Sequence, residues 1–370
     1  MRKKILLVVT VFLFFVLMSS MFVAVAATRR MSPIVPQKNW PPKAGEKGDL
    51  APVTTTTTIT FSEKYIEAKS WYFPFDGADR LAIDSEGSIY MGGYNVSVIR
   101  KFSSAGVPDA AWGNNGVVGG QFKGIFDIGV DNSKNVYIAA RTVGTESAIK
   151  KIDSTGKKIT DWGKILYDGP NSLHVQPSGK VYAIFNDPNT PLTSLLIFDS
   201  NGEIIVSKEY LGGMAWVQGF LAVDSEGNCY LRGFPYGLYE EPLVAAWKNT
   251  TVILKLDPMA YDWSTSNLVY WSGIFSGWRD RVAVDSAYNV YALFLPQTIK
   301  SGGSESTPIT LGTPTLCKFN QVGVPVAKKQ LESPPYFSDI AVTPSGNHIY
   351  LLGSKAGKNV IVNLIKFKFY

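Results

Sequence analysis

The sequence of 370 residues predicts an all-β fold that is assembled from repeats, and two observations carry this prediction. One is a pattern of apolar-x-apolar-Asp, a polar turn and apolar-Tyr, which recurs along the chain and is typical of β-hairpins. The other is the spacing of its copies, 47, 45, 48, 61 and 58 residues, against ~40–50 residues for a four-stranded repeat. Together they predict a six-bladed β-propeller, in which each repeat forms one small sheet.

Each repeat begins with a hairpin whose two strands flank a turn of Asp, Ser, Gly and Asn residues. The clearest hairpin is LAVDSEGNCY, which starts at Leu221, and a third strand such as VILKL follows it. We expect a variable fourth strand to complete each blade. The six repeats start at Leu81, Ile128, Leu173, Leu221, Val282 and Ile340.

The two ends of the repeat region predict how the ring closes. The last repeat ends after its third strand, at residues 366–370, and strand-forming residues from Thr58 to about Ile66 precede the first repeat. We expect this N-terminal strand to complete the last blade and close the ring, because closure removes two exposed sheet edges.

The N-terminal region has the composition of an export segment. Residues 1–27 join a basic start, MRKK, to an apolar run, which fits either a signal peptide or a membrane anchor through residues 5–27. Residues 28–53 form a predicted Pro-rich linker, and residues 54–370 form the predicted propeller. Both alternatives predict an extracytoplasmic domain, either secreted or anchored to the cell membrane and facing outward.

The repeats resemble those of NHL-type and related bacterial secreted propellers over residues 81–370, through a D-x-x-G-N-x-Y core. Gln176 and Thr343 depart from this core by replacing the aspartate, and Tyr288 stands where the turn glycine is expected. The resemblance implies that the first strand of each repeat lies innermost, beside a central channel. It implies nothing about the ligand.

The residues that precede the innermost strands are therefore expected to ring one mouth of the channel. A long loop, residues 233–250, is expected on the same face, and its aromatic side chains suit recognition. The candidate ligand-binding residues are Arg80, Asp127, Asn171, Phe220, Arg281, Asp339, Tyr236, Tyr239 and Trp247.

The chain has few residues of the kinds that most catalytic and metal sites use. Its two histidines, His174 and His348, do not form a convincing triad or metal set, so we predict no cofactor and no metal. A bridge between its two cysteines, Cys229 and Cys317, stays open. The formal charge of +6 is dispersed, which argues against a nucleic-acid partner.

These observations predict a non-enzymatic recognition scaffold that binds a protein, peptide or glycan through one propeller face. The alternative is a metal-assisted lyase or hydrolase, similar to lactonases or streptogramin lyases, with its site in the central channel. In that case the acids at the mouth, among them Asp79 and Asp127, would be the oxygen ligands of a divalent cation.

Overall fold

The computed structural model describes the repeat region of the chain. The described residues are 63–73, 77–120, 122–142, 147–163, 170–186, 193–209, 221–233, 251–256, 269–275, 281–294, 297–298, 310–311, 313–321, 325–332 and 336–366. The chain divides into two units, Met1–Thr58 and Ile59–Tyr370, and all of these residues belong to the second. The predicted leader and linker lie outside them. Within these ranges no helix has the length and apolar character needed to cross a membrane.

In the described residues the strands form six four-stranded antiparallel sheets, numbered here along the chain, and one short hairpin. The first strand, β1 (Tyr65–Phe73), belongs to sheet 6. Sheet 1 contains β2 (Arg80–Ile83), β3 (Ile89–Gly93), β4 (Val96–Phe102) and β5 (Val117–Gly119). Sheet 2 contains β6 (Phe122–Val130), β7 (Val136–Thr142), β8 (Ser147–Ile152) and β9 (Ile159–Trp162). Sheet 3 contains β10 (Ser172–Val175), β11 (Val181–Asn186), β12 (Thr193–Phe198) and β13 (Ile204–Glu209).

The remaining strands follow the same plan. Sheet 4 contains β14 (Leu221–Val223), β15 (Cys229–Gly233), β16 (Thr251–Leu256) and β17 (Val269–Phe275). Sheet 5 contains β18 (Arg281–Val284), β19 (Val290–Phe294), β22 (Thr315–Phe319) and β23 (Pro325–Gln330). The hairpin of β20 (Gln297–Thr298) and β21 (Thr310–Leu311) is inserted into sheet 5. Sheet 6 contains β24 (Tyr336–Val342), β25 (His348–Lys355), β26 (Lys358–Lys366) and β1.

Neighbouring sheets pack face to face. The first strands β2, β6, β10, β14, β18 and β24 contact one another in chain order, and β24 contacts β2. One apolar cluster joins Tyr90 and Ile99 of sheet 1 to Ile128 and Ile138 of sheet 2. A sheet that packs between two other sheets has both of its faces buried. This explains why β3, an inner strand of sheet 1, is buried at every position. The predicted all-β fold and its β-propeller arrangement are confirmed.

The Asp of the repeated motif shapes its own hairpin turn. In sheet 4, Asp224 accepts hydrogen bonds from the amides of Glu226 and Asn228 at 3.0 and 2.9 Å, and from the hydroxyl of Tyr230 at 3.1 Å. The turn amides and the tyrosine hydroxyl would otherwise lose their water partners on burial without replacement. The equivalent aspartates are Asp84, Asp131 and Asp285.

The Tyr of the motif reaches the next sheet. A Cβ atom added at Gly227 of sheet 4 would lie 2.8 Å from the hydroxyl of Tyr182 in sheet 3. The hydroxyl of Tyr291 in sheet 5 likewise lies 3.4 Å from the carbonyl oxygen of Gly346 in sheet 6. The motif therefore encodes the turn and the packing between sheets, which is why it predicts architecture and not a ligand.

The N-terminal strand differs from its predicted bounds. The prediction was a strand from Thr58 to about Ile66, whereas β1 runs from Tyr65 to Phe73 and pairs along β26. Residues 67–72 were missed because they begin with charged and small residues, Glu67 to Ser70, in place of β-branched ones, with Glu67 and Lys69 exposed. Charged side chains are common on a strand that forms the outer edge of a sheet. The part of the prediction before residue 63 lies outside the described residues.

Both cysteines are free thiols in this fold. Cys229 is fully buried in β15, as its alignment with apolar positions of the other repeats suggests. Burial raises the pKa of Cys317 to about 11, so that this thiol stays protonated at neutral pH.

Candidate functional site

A cavity of about 160 Å³ lies among the first strands of the six sheets. The cavity is narrow but open because one position of these strands carries a small side chain in five of the six sheets. In sheet 3 this position is a histidine. The six residues are Ala82, Gly129, His174, Ala222, Ala283 and Ala341. Burial lowers the pKa of His174 to about 4, so its imidazole is neutral at pH 7.

Polar and charged residues gather where these strands begin. We call Asp79, Arg80, Asp127, Ser172, Arg281 and Asp339 the mouth cluster. Four of them line the cavity: Asp127, Ser172, Arg281 and Asp339. Arg80 forms an ion pair with Asp79 at 3.0 Å and is therefore held at the same edge of sheet 1.

Two β-bulges position the arginines of the mouth cluster. The ladder between β6 and β7 shifts register at Phe126, and the ladder between β24 and β25 shifts at Ser338. A bulged residue leaves the ladder, so its carbonyl group can accept a bond from elsewhere. The Nε of Arg80 donates to the carbonyl of Phe126, and the Nε of Arg281 donates to the carbonyl of Ser338 at 2.5 Å.

The aspartate after each bulge binds the following sheet. The Oδ2 of Asp127 accepts bonds from the amide of Leu173 at 2.9 Å and from the hydroxyl of Ser172 at 2.6 Å. The Oδ2 of Asp339 accepts a bond from the amide of Leu81 at 2.7 Å. An arginine, a bulge and an aspartate thus connect sheets 1, 2 and 3, and the same arrangement connects sheets 5, 6 and 1.

Burial changes the electrostatics of this cluster. It raises the pKa of Asp339 to about 6, with Arg281 opposing the rise and Asp127 adding to it. The Nε of Arg281 lies 3.6 Å from the carboxylate of Asp339. Burial, with repulsion from Arg80, lowers the pKa of Arg281 to about 9, which leaves it charged at neutral pH. A carboxyl group that titrates near neutrality in a cleft is a candidate acid–base catalyst.

The structure brings together four of the predicted site residues, Arg80, Asp127, Arg281 and Asp339. Asn171 instead lies one residue before the strand, where its amide donates to the carbonyl of Ile184 at 2.8 Å. The equivalent position in sheet 3 is held by Ser172, which precedes Leu173 as Arg80 precedes Leu81; the candidate predicted from the sequence was its neighbour Asn171. The remaining candidates, Phe220, Tyr236, Tyr239 and Trp247, lie outside the described residues.

The mouth cluster does not suit a divalent cation. Among the described residues no group of three or more His, Cys, Asp or Glu side chains could hold a metal ion. The carboxylates of Asp127 and Asp339 are directed to amide donors of the next sheet, and Arg80 and Arg281 supply positive charge between them. A cation would meet repulsion from these guanidinium groups.

Two solved structures have the same overall arrangement as this chain. A gluconolactonase from Xanthomonas campestris, described as important in glucose secondary metabolic pathways, aligns with a TM-score of 0.53 at 12% identity, over 82% of this chain and 90% of its own. The PQQ-bound form of an aldose sugar dehydrogenase from Streptomyces coelicolor aligns with a TM-score of 0.53 at 12% identity, over 83% of this chain and 99% of its own. No protein-family model matches the chain, and no curated protein matches it.

The comparisons correct one prediction. The sequence predicted a non-enzymatic recognition scaffold, and this was wrong, because the two solved structures described above, a gluconolactonase and an aldose sugar dehydrogenase, are enzymes. The prediction failed because it relied on the absence of a recognisable catalytic motif. The polar residues of the mouth cluster come from five different sheets, so they form no motif along the chain.

Proposed function

We propose that this protein is a hydrolase that opens a small sugar-derived lactone at the mouth cluster. One observation carries the proposal: the buried carboxyl group of Asp339 lines the cavity, lies beside Arg281 and has a pKa of about 6. The likeness to a gluconolactonase supports the substrate class.

The chemistry follows from the charges at the mouth cluster. The ionised carboxylate of Asp339 takes a proton from water, and the water oxygen attacks the lactone carbonyl carbon. The negative charge that develops on the carbonyl oxygen is stabilised by the guanidinium groups of Arg281 and Arg80. The ring C–O bond then breaks, and Asp339 returns the proton to the leaving alcohol oxygen.

This proposal uses neither a metal nor a quinone cofactor. The donor set of the mouth cluster disfavours a cation, as described above. The cavity of about 160 Å³ is also well below the ~300 Å³ of pockets that enclose a drug-sized ligand such as a fused-ring quinone, whereas a lactone with a single six-membered ring is much smaller than such a ligand. The described residues therefore do not fit a bound quinone, and the hydrolytic step is derived from this chain's own side chains.

The test is hydrolysis of gluconolactone by the full chain, followed through proton release and corrected for spontaneous opening. Changing Asp339 to Asn removes the base with little change in shape, so we expect kcat to fall by ~10²–10⁴. Asp153→Asn is the matched control, because Asp153 is a partly exposed turn carboxylate outside the mouth cluster.

Three results would contradict the proposal. The full chain could show no hydrolysis above background across a panel of sugar lactones. Asp339→Asn could retain full activity, or Asp153→Asn could lose as much as Asp339→Asn. A conventional unfolding curve for each variant separates a loss of chemistry from a loss of fold.

We also propose the finer architecture that surrounds this site. The six sheets are six blades of one closed ring, similar to NHL-type propellers, with β1 completing the last blade. Pairing of β1 with β26 and contact between β24 and β2 support this. The protein is exported, secreted or anchored through residues 5–27, and the apolar composition of that segment supports export.

A further inference from the structure

An aromatic pair stands beside the mouth cluster on the same edge of sheets 1 and 2. The ring of Tyr94, between β3 and β4, is 48% exposed. It lies 5.5 Å from the ring of Phe126, at an interplanar angle of 56°. Phe126 is the bulged residue whose carbonyl group accepts the bond from Arg80, so the aromatic pair and the mouth cluster share one residue.

The position of Tyr94 is fixed through its backbone. Its amide donates to the Oδ1 of Asp79 at 3.1 Å, and a Cβ at the preceding Gly93 would collide with that aspartate. A Cβ at Gly124 would lie 3.1 Å from the carbonyl oxygen of Tyr94. A large aromatic ring that extends from an anchored backbone, packs on a neighbouring ring and is left half in solvent is the kind of side chain that binds a ligand at low entropic cost.

Hydrogen-bonding groups border this ring. The side chain of Asp79 is 36% exposed, and its Oδ2 pairs with Arg80 at 3.0 Å. A carboxylate has about four acceptor positions, so Asp79 can bind ligand hydroxyl groups while it keeps both of these partners. The site thus combines an apolar ring face with a charged acceptor and a charged donor at its rim.

We infer that Tyr94, with Phe126 behind it, is a platform for the flat face of a pyranose ring whose hydroxyl groups bind Asp79 and Arg80. A β-D-glucopyranose ring presents axial C–H groups on its faces and hydroxyl groups around its rim, which matches this arrangement. An open-chain polyol has the hydroxyl groups without the flat face. This inference rests on the proposed function, because it names the ring shape of that enzyme's substrate.

The experiment is an NMR titration of the full chain with methyl β-D-glucopyranoside, which is cyclic, and with sorbitol, which is acyclic. We expect saturable binding of the cyclic compound and at least several-fold weaker binding of sorbitol. Tyr94→Ala should weaken binding of the cyclic compound about tenfold, and Tyr94→Phe should stay within about twofold of the parent. Tyr72→Ala is the control, since Tyr72 is 57% exposed on the outer strand β1.

The inference is overturned if the cyclic compound does not bind, if sorbitol binds as tightly, or if Tyr94→Ala binds like the parent. Asp339→Asn separates it from the proposed function, because this variant should bind the cyclic compound normally while it loses hydrolysis. Binding without hydrolysis in the parent would refute the hydrolase and leave the platform standing. Hydrolysis with an unchanged KM in Tyr94→Ala would refute the platform alone.

Discussion

At the residue scale, one position in each hairpin turn requires a particular backbone conformation. The third residue after the motif aspartate, or after the Gln176 or Thr343 that replaces it, has a positive φ in every sheet, between 61° and 92°. Glycine adopts this conformation freely, whereas another residue costs about 1–2 kcal/mol. Lys134 and Tyr288 occupy two of these positions, and each side chain bonds a glutamate of the preceding sheet: Lys134 pairs with Glu86 at 2.7 Å, and Tyr288 donates to Glu226 at 3.2 Å.

The substitution Tyr288→Gly tests whether the cost of the left-handed conformation exceeds the stabilisation from the hydrogen bond to Glu226. We expect the free energy of unfolding to rise by about 1 kcal/mol, because relief of the left-handed conformation outweighs an exposed hydrogen bond. Urea denaturation of the full chain measures the change. Gly227→Ala, at the equivalent turn of sheet 4, should instead lower stability, since its Cβ would also approach the hydroxyl of Tyr182. A destabilised Tyr288→Gly would show that the bond to Glu226 is the stronger effect.

At the scale of elements, the segment around β1 connects two sheets through one carboxylate. Glu63 lies 2.7 Å from Lys318 of sheet 5 and 2.8 Å from Lys366, which ends β26. Its amide also donates to the carbonyl of Val326 at 3.0 Å. Burial raises the pKa of Glu63, but the hydrogen bonds and charges of the two lysines outweigh it, so the pKa lies below its ordinary value.

Glu63→Gln should therefore destabilise the fold by about 2 kcal/mol at pH 7, the usual range for hydrogen bonds to charged groups. Because the folded pKa is lowered, the stabilisation is present above pH 4.5 and is lost as the pH falls through the folded value. The difference between parent and variant in urea should shrink in acid. Glu67→Gln is the control, as Glu67 is exposed on β1. Equal losses in both variants would contradict a specific role for Glu63.

At the scale of the whole molecule, the sequence predicted the repeats well because each repeat is a local pattern. The first strands start within one residue of the predicted positions in sheets 1, 3, 4 and 5, since Leu81, Leu173, Leu221 and Val282 begin an apolar run after a polar residue. The bulges at Phe126 and Ser338 had no sequence signal, because a register shift depends on the partner strand. Consequently β6 and β24 begin earlier than predicted.

The site was harder to predict than the fold because, like the bulges, it depends on contacts between strands that are distant in the sequence. Its residues are neighbours only after the sheets are arranged around the cavity, so their contacts with one another leave no signal along the chain. The raised pKa of Asp339 arises mainly from burial, which depends on all sheets that meet at the mouth. Secondary-structure propensities and sequence motifs predict neither the arrangement of the site residues nor the burial of Asp339.

The measurement that tests the central claim most directly is the pH dependence of kcat/KM for gluconolactone hydrolysis by the full chain. In the proposed mechanism Asp339 acts as a base, so it must be ionised, and its pKa is about 6. We therefore expect kcat/KM, corrected for spontaneous hydrolysis, to rise with pH through an inflection near 6 and then level off. Asp339→Asn should lose this inflection together with most of the rate. An inflection that persists unchanged in Asp339→Asn would contradict the assignment of this carboxyl group as the catalytic base.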